Sequence, residues 1–145
     1  MNPTGGIIRS DAGGSGHFLA PRRKIIQGKI IKYRHKGVDY TCTPGQKVWM
    51  PCTGKIVRVA NPYVSTEYTG IEIETKRMVL KIFYVEPYVG VIGKTLQIGK
   101  PFGTAQDISQ KYLEFGVTPH VHVQIDMIDP DAVFNGGLVE CVVDT

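Results

Sequence analysis

Three of the four histidines in this chain fall in two short motifs, His35-Lys36-Gly37-Val38-Asp39 and His120-Val121-His122. Side chains alternate faces along an extended strand, so His120 and His122 project to one side, about 7 Å apart. His35 and Asp39 are also an even number of residues apart, and Gly37 between them leaves room for a close backbone approach. Two imidazole nitrogens and one carboxylate oxygen form a three-ligand set suited to catalytic zinc, with a fourth position open to water. Four side chains for three positions leave one histidine over. A hydrolytic zinc site needs a base that takes a proton from water and returns it to the leaving amine. One of His120 and His122 is therefore read as ligand and the other as base, and spacing alone leaves the choice open. The plainer reading is an exposed His35 beside Arg34 and Lys36, with the two later histidines half-buried on an unrelated strand. Two motifs together, on strand-like segments, favour the metal site. His17 lies in a glycine-rich stretch and reads as a surface histidine.

The segments that must position these residues are short. Ile25-Ile26 and Ile30-Ile31 flank Gly28, and strand-like runs follow at Val38–Thr41, Lys47–Met50, Lys55–Ala60, Ile71–Thr75 and Met78–Val85. They are rich in β-branched and aromatic residues and are separated by Pro44-Gly45, Thr53-Gly54, Asn61-Pro62 and Thr69-Gly70, which are turn signals. Helical periodicity is weak. One or two turns are expected over Ile108–Glu114 and another after Asp129-Pro130. The expectation is a mainly β, single domain with at most two short helices. Residues 1–24 are expected to be a glycine-rich extension lying over the surface and packing little core, with the domain proper over residues 25–145.

Composition narrows the function classes. At 145 residues, 42% hydrophobic and 21% charged, the chain can bury one core and does not resemble a disordered polymer. Its longest apolar run, Met78–Val85, contains Lys81 and falls far short of the ~20 residues of a membrane-spanning helix. Residues 1–16 lack the basic start and apolar centre of a secretory signal. Net charge is +4, but the cations are scattered apart from Arg22-Arg23-Lys24, so no nucleic-acid-binding face is expected. Cys42, Cys52 and Cys141 form no CxxC pair. Free thiols are expected, although a Cys42–Cys52 bridge is conceivable.

The same residues resemble those of a known family, the lysostaphin-type zinc endopeptidases, also called M23 or LytM-like, which cut peptide cross-links in bacterial peptidoglycan. His35–Tyr40 is similar to the family's HxGxD segment. Thr43–Val48, Met50-Pro51 and Thr53–Val57 resemble its next hairpin, and Gly70–Ile73 its glycine-led central strand. Gln97–Gly99 through Gly103-Thr104 resembles a glycine turn, and Pro119–Val123 matches the terminal HxH strand. The resemblance spans about residues 34–134 in the correct order. It implies antiparallel sheets forming a groove, zinc held by His35, Asp39 and His122, His120 as catalytic base, and a peptidoglycan peptide as substrate.

One departure bears on activity. The family usually carries a further histidine, which helps stabilise the oxyanion, in a Y-x-H-L segment on the strand matching Leu80–Glu86. This chain has Tyr84 at that position in the preferred register, or Glu86 if the register slides by two. A phenol can donate to an oxyanion, whereas a carboxylate can do so only when protonated. The run, with Cys42 following His35–Tyr40, also resembles the chemotaxin branch, which has the fold and the zinc but is regarded as a binding protein. Two functions are therefore carried forward. One is a peptidoglycan endopeptidase in a phage lysis or virion-associated role, acting on the cell wall with virion or tail proteins as partners. The other is a zinc-containing binding or structural module that has lost catalysis.

Overall fold

A computed structural model describes residues 1–136. Short strands follow one another as β1 (Ser10–Asp11), β2 (Gly14–Ser15), β3 (Pro21–Ile26), β4 (Lys29–Arg34), β5 (Gly37–Thr41), β6 (Lys47–Trp49) and β7 (Gly54–Val59). Then come β8 (Gly70–Glu74), β9 (Met78–Phe83), β10 (Val85–Pro87), β11 (Thr95–Leu96), β12 (Pro101–Ala105) and β13 (His120–Ile128). The mainly β, antiparallel architecture is the one expected. Ile108–Gln110 and Leu113–Phe115 are single 3₁₀ turns, and the one α-helix among the described residues is α1 (Pro130–Phe134). It starts where Asp129 accepts a hydrogen bond from the Asp131 amide at 2.9 Å and Pro130 takes the first turn, where its missing N–H costs nothing. No helix among the described residues is long and apolar enough to cross a membrane.

The larger sheet has the strand order β11-β7-β8-β9-β13-β5, and the smaller has β10-β12-β6. Alternation along the larger sheet sends Ile71, Ile73, Leu80, Ile82 and Val121 to one face, where they meet Val48, Val85 and Phe102 of the smaller sheet in the core. The opposite face is polar. There Arg58 bonds Glu72 at 3.1 Å and Lys81 bonds Asp126 at 2.8 Å, a cross-strand charge ladder that continues toward His122.

One departure from the sequence reading matters for the site. Met78–Val85 is not one strand. The chain breaks at Tyr84, whose φ of 69° lies in the left-handed region, and it passes there from the larger sheet to the smaller. Glu86, the alternative occupant of the family's further-histidine position, is carried away on β10, where it pairs with Thr104 and is exposed. Residues 1–20 add no member to the core cluster, but they pack against the edge strand of the site. Pro3, Thr4, Arg9 and Ala20 are buried. β5 is an edge strand whose outward amides need partners, and this segment supplies them: the Asp39 amide donates to Gly16 O at 2.9 Å, the Thr41 amide to Ile7 O at 2.8 Å, and the Arg9 amide to Asp39 O at 2.8 Å.

Cys42 and Cys52 are free thiols, half-buried against the core. Burial, with Asp107 adding to it, pushes the Cys42 thiol up to about 11. Cys141 lies outside the described residues.

Candidate metal centre

The strand register builds the site. β13 runs between β5 and β9, so His122 stands opposite Asp39 on one side and Phe83 on the other. All three project to the polar face, where the Phe83 and His122 rings stack with centroids 5.8 Å apart. His35 enters from the connection between β4 and β5. Its Nε2 lies 3.1 Å from Asp39 Oδ1 and 3.1 Å from His122 Nδ1, and His122 Nδ1 lies 2.9 Å from the same Asp39 oxygen. Gly37 permits the close pairing, because a Cβ there would fall 2.1 Å from Val123 O and 2.8 Å from the His122 ring. These ligand atoms, from three buried residues, form a group that could hold a metal ion.

The hydrogen bonds around this triangle decide which nitrogens face inward. His35 Nδ1 lies 3.0 Å from His17 O, an acceptor only, so Nδ1 carries the proton and Nε2 presents its lone pair. His122 Nε2 lies 3.0 Å from Gln124 Oε1, another acceptor when that amide donates its nitrogen to Asp126, and this leaves the Nδ1 lone pair inward. Two imidazole lone pairs and a carboxylate oxygen thus meet with no donor among them, an arrangement that a cation relieves. Ligands at about 2.0–2.1 Å in tetrahedral geometry would be separated by about 3.3 Å, close to the observed edges. The donor set therefore fits zinc, with the outer hydrogen bonds that zinc-binding histidines use.

Asp39 is the most constrained member. Burial alone would raise its carboxyl, but when no cation is present and the inward nitrogens of His122 and His35 are protonated, their hydrogen bonds outweigh that and hold it far below the usual carboxylate range; a bound cation would take over that role. Its second oxygen receives Arg9 Nε at 3.3 Å, and Arg22 approaches it at 3.7 Å. Arg9 is 4% exposed and also bonds Asp11 at 2.7 Å.

His120 sits beside the triangle without joining it. Its Nδ1 is held by Thr118 O at 2.8 Å, which leaves Nε2 free, 3.7 Å from Asp39 Oδ2. Burial holds its pKa below the ordinary histidine range against the opposing pull of Asp39. Tyr84 closes the other side, its ring edge-on to His120 with centroids 5.4 Å apart. The Tyr84 hydroxyl is 3.0 Å from that of Tyr63, which is 2.8 Å from that of Tyr112.

All five residues singled out from the sequence, His35, Asp39, Tyr84, His120 and His122, are thus brought together. Sequence reasoning missed Arg9, Gln124, Tyr63, Tyr112 and the carbonyl of His17. Gln124 was findable, since it follows His122 by two residues on the same strand face. The others come from distant segments with no local pattern. His17 itself is exposed, and its contribution is a backbone oxygen.

No family model matches the chain. It is 35% identical over 131 residues to leukocyte cell-derived chemotaxin-2 of Mus musculus, a match covering 87% of this chain and 78% of that protein. The catalytic domain of the antimicrobial peptidase lysostaphin from Staphylococcus simulans superposes with a TM-score of 0.52 at 21% identity, covering 79% of this chain and 80% of that one. A zinc-containing peptidase from Vibrio cholerae gives 0.56 at 18% identity, covering 88% of this chain but only 36% of the other. An antiparallel β domain of this kind, with a His-Asp-His cluster on the polar face of its larger sheet, is a lysostaphin-like fold. The chain belongs to the leukocyte cell-derived chemotaxin-2 family, and it has the lysostaphin-like fold of the M23 peptidases.

Proposed function

We propose that the chain is a zinc-dependent endopeptidase that cleaves peptide cross-links of bacterial peptidoglycan. The observation that carries this reading is His120: a buried imidazole that the metal triangle does not need, fixed at Nδ1 by Thr118 O and offering Nε2 beside the triangle. In the proposal, His35 Nε2, Asp39 Oδ1 and His122 Nδ1 would hold zinc. When bound, zinc supplies Lewis-acid polarisation of the scissile carbonyl and acidifies a water. His120, kept neutral by burial, accepts the proton of the attacking water at Nε2 and delivers it to the leaving amine. Tyr84 donates its hydroxyl to the developing oxyanion. Burial pushes that phenol well above the ordinary tyrosine range, so it stays protonated and able to donate. The setting in this proposal is phage lysis or a virion-associated role, which mass spectrometry of purified particles would test.

A second reading, a zinc-containing module that binds without cutting, is favoured by two observations. The chemotaxin-2 relative matches most of the chain, and the Tyr84 hydroxyl is already engaged by Tyr63. Incubating zinc-loaded protein with purified sacculi, with and without a chelator, separates the two. Chelator-sensitive release of muropeptides, identified by mass, is the expected result. No release from sacculi of both glycine-bridged and direct cross-link types would leave the binding module as the function.

A further inference from the structure

The hairpin of β3 and β4 takes no part in the core. Every residue of β4 is exposed, and so is every residue of β3 except Arg22. The hairpin turns at Gln27 and Gly28, with φ of 49° and 74°, a primed turn whose twist matches its strands. It is anchored only at its base, where the Leu19 amide donates to His35 O and the His35 amide to Ala20 O, both at 2.9 Å. Six residues of about 3.3 Å each give it a reach of roughly 20 Å.

Its chemistry is unlike the rest of the surface. Residues 21–34 carry Arg22, Arg23, Lys24, Lys29, Lys32 and Arg34 and no acidic residue. At its distal end stand Ile25, Ile26, Ile30 and Ile31, exposed by 74%, 43%, 63% and 40%. Ile25 and Ile30 are direct cross-strand partners on one face, while Ile26 and Ile31 lie on the other. Four exposed isoleucines in the distal half of a hairpin, with Lys29 beside the turn and the other five cations from the rung of Lys24 and Ile31 back to the base, are not explained by folding. Solvent gains nothing from them, and no other element of the described residues covers them.

We propose that the β3–β4 hairpin is a docking finger for an anionic lipid surface: the isoleucine tip enters the interface while the cations meet the headgroups. Charge complementarity selects this occupant. A second copy of the chain would bring six like charges against six, which repels, and an anionic polymer or nucleic acid would satisfy the cations but leave the isoleucines in water. A lipid interface of net negative charge satisfies both, since apolar burial and headgroup attraction add there. Lys29 beside the turn and Lys24 two rungs back bracket the isoleucines, and their long stems allow the ammonium groups to reach headgroup level. The inference is independent of whether the metal centre cuts peptide bonds.

The test is co-sedimentation of the full chain with vesicles of phosphatidylglycerol mixed into phosphatidylcholine, against phosphatidylcholine alone. Binding is expected to the anionic vesicles only, and to weaken from 0.1 to 0.5 M salt as the charges are screened. Ile25→Thr/Ile30→Thr keeps β-branched side chains on an exposed pair, so the fold should hold, which circular dichroism checks. This variant should lose about tenfold or more of the vesicle affinity. An Ile25→Trp variant should shift its emission to the blue on vesicle addition. No binding to anionic vesicles overturns the proposal. So does binding that the isoleucine substitutions leave unchanged, particularly if a polyphosphate or an oligonucleotide competes for it, because the finger would then be a polyanion site.

Discussion

The Tyr84 ring stands perpendicular to that of His120, planes at 88° and centroids 5.4 Å apart, while its hydroxyl is hydrogen-bonded to Tyr63 rather than to any histidine. A tyrosine with φ of 69° is held in a conformation that few non-glycine residues adopt, and the surroundings must fix it. The rings of Tyr63 and Tyr68, with centroids 6.3 and 6.1 Å from its own, do so. Strain at a position beside the metal triangle is consistent with a functional hydroxyl. Tyr84→Phe tests it: the ring packing is kept, and turnover on cross-link peptides is expected to fall about 10²-fold, as for loss of one oxyanion donor. A change of less than about twofold, well below that expectation, would make Tyr84 a packing residue only.

Holding the metal and using it belong to different imidazoles. His122→Ala removes an inward lone pair and should lose both zinc and hydrolysis. His120→Ala should keep stoichiometric zinc, read by metal analysis of the dialysed protein, yet lose about 10²–10⁴-fold in rate. Loss of zinc in the His120 variant would move that residue into the ligand set and remove the base from the mechanism.

Much of this centre was legible because β-strand alternation is a local rule. The even spacing of His120 and His122 placed that pair on one face of β13, whereas His35 reaches Asp39 from the connection before β5, and it was the resemblance that assigned them to one site. Two things were beyond local pattern. The break at Tyr84 was not readable, because Ile82-Phe83-Tyr84-Val85 has the composition of a continuous strand, and only the exchange between two sheets forces a left-handed residue there. Arg9 was not readable either. It sits thirty residues before Asp39, in a segment whose glycines gave no periodicity, and its place is set by the amides of an edge strand seeking partners.

Alkaline pH should act on the tyrosine cluster. Burial pushes the hydroxyls of Tyr63, Tyr84 and Tyr112 well above their ordinary value of 10.0. In the unfolded chain the same groups ionise near about 10. The folded state therefore binds more protons above that pH, and stability, complete below it, declines as pH rises further. Spectrophotometric titration at the phenolate band should show these three of the seven tyrosines ionising only as the protein unfolds. Reversible ionisation of all seven near pH 10 with the fold intact would contradict the burial of the cluster.

Arg9 joins the N-terminal segment to the metal centre through two carboxylates, the half-buried Asp11 at 2.7 Å and the buried Asp39 at 3.3 Å. Its bond to Asp39 Oδ2 leaves Oδ1 turned toward His35 and His122, so it orients the ligand although its positive charge opposes a cation nearby. Arg9→Met decides which effect dominates. Removing the guanidinium leaves Asp11 and Asp39 without their buried partner and should cost about 3–5 kcal/mol of stability. If orientation dominates, zinc affinity measured by chelator competition should also fall about 10–100-fold, the usual cost of losing an outer hydrogen bond to a ligand. Arg9→Lys keeps the charge but loses the fork that reaches both carboxylates, so it should recover stability in part and zinc affinity little. Tighter zinc binding in Arg9→Met would show that the charge, not the geometry, is what the metal centre feels.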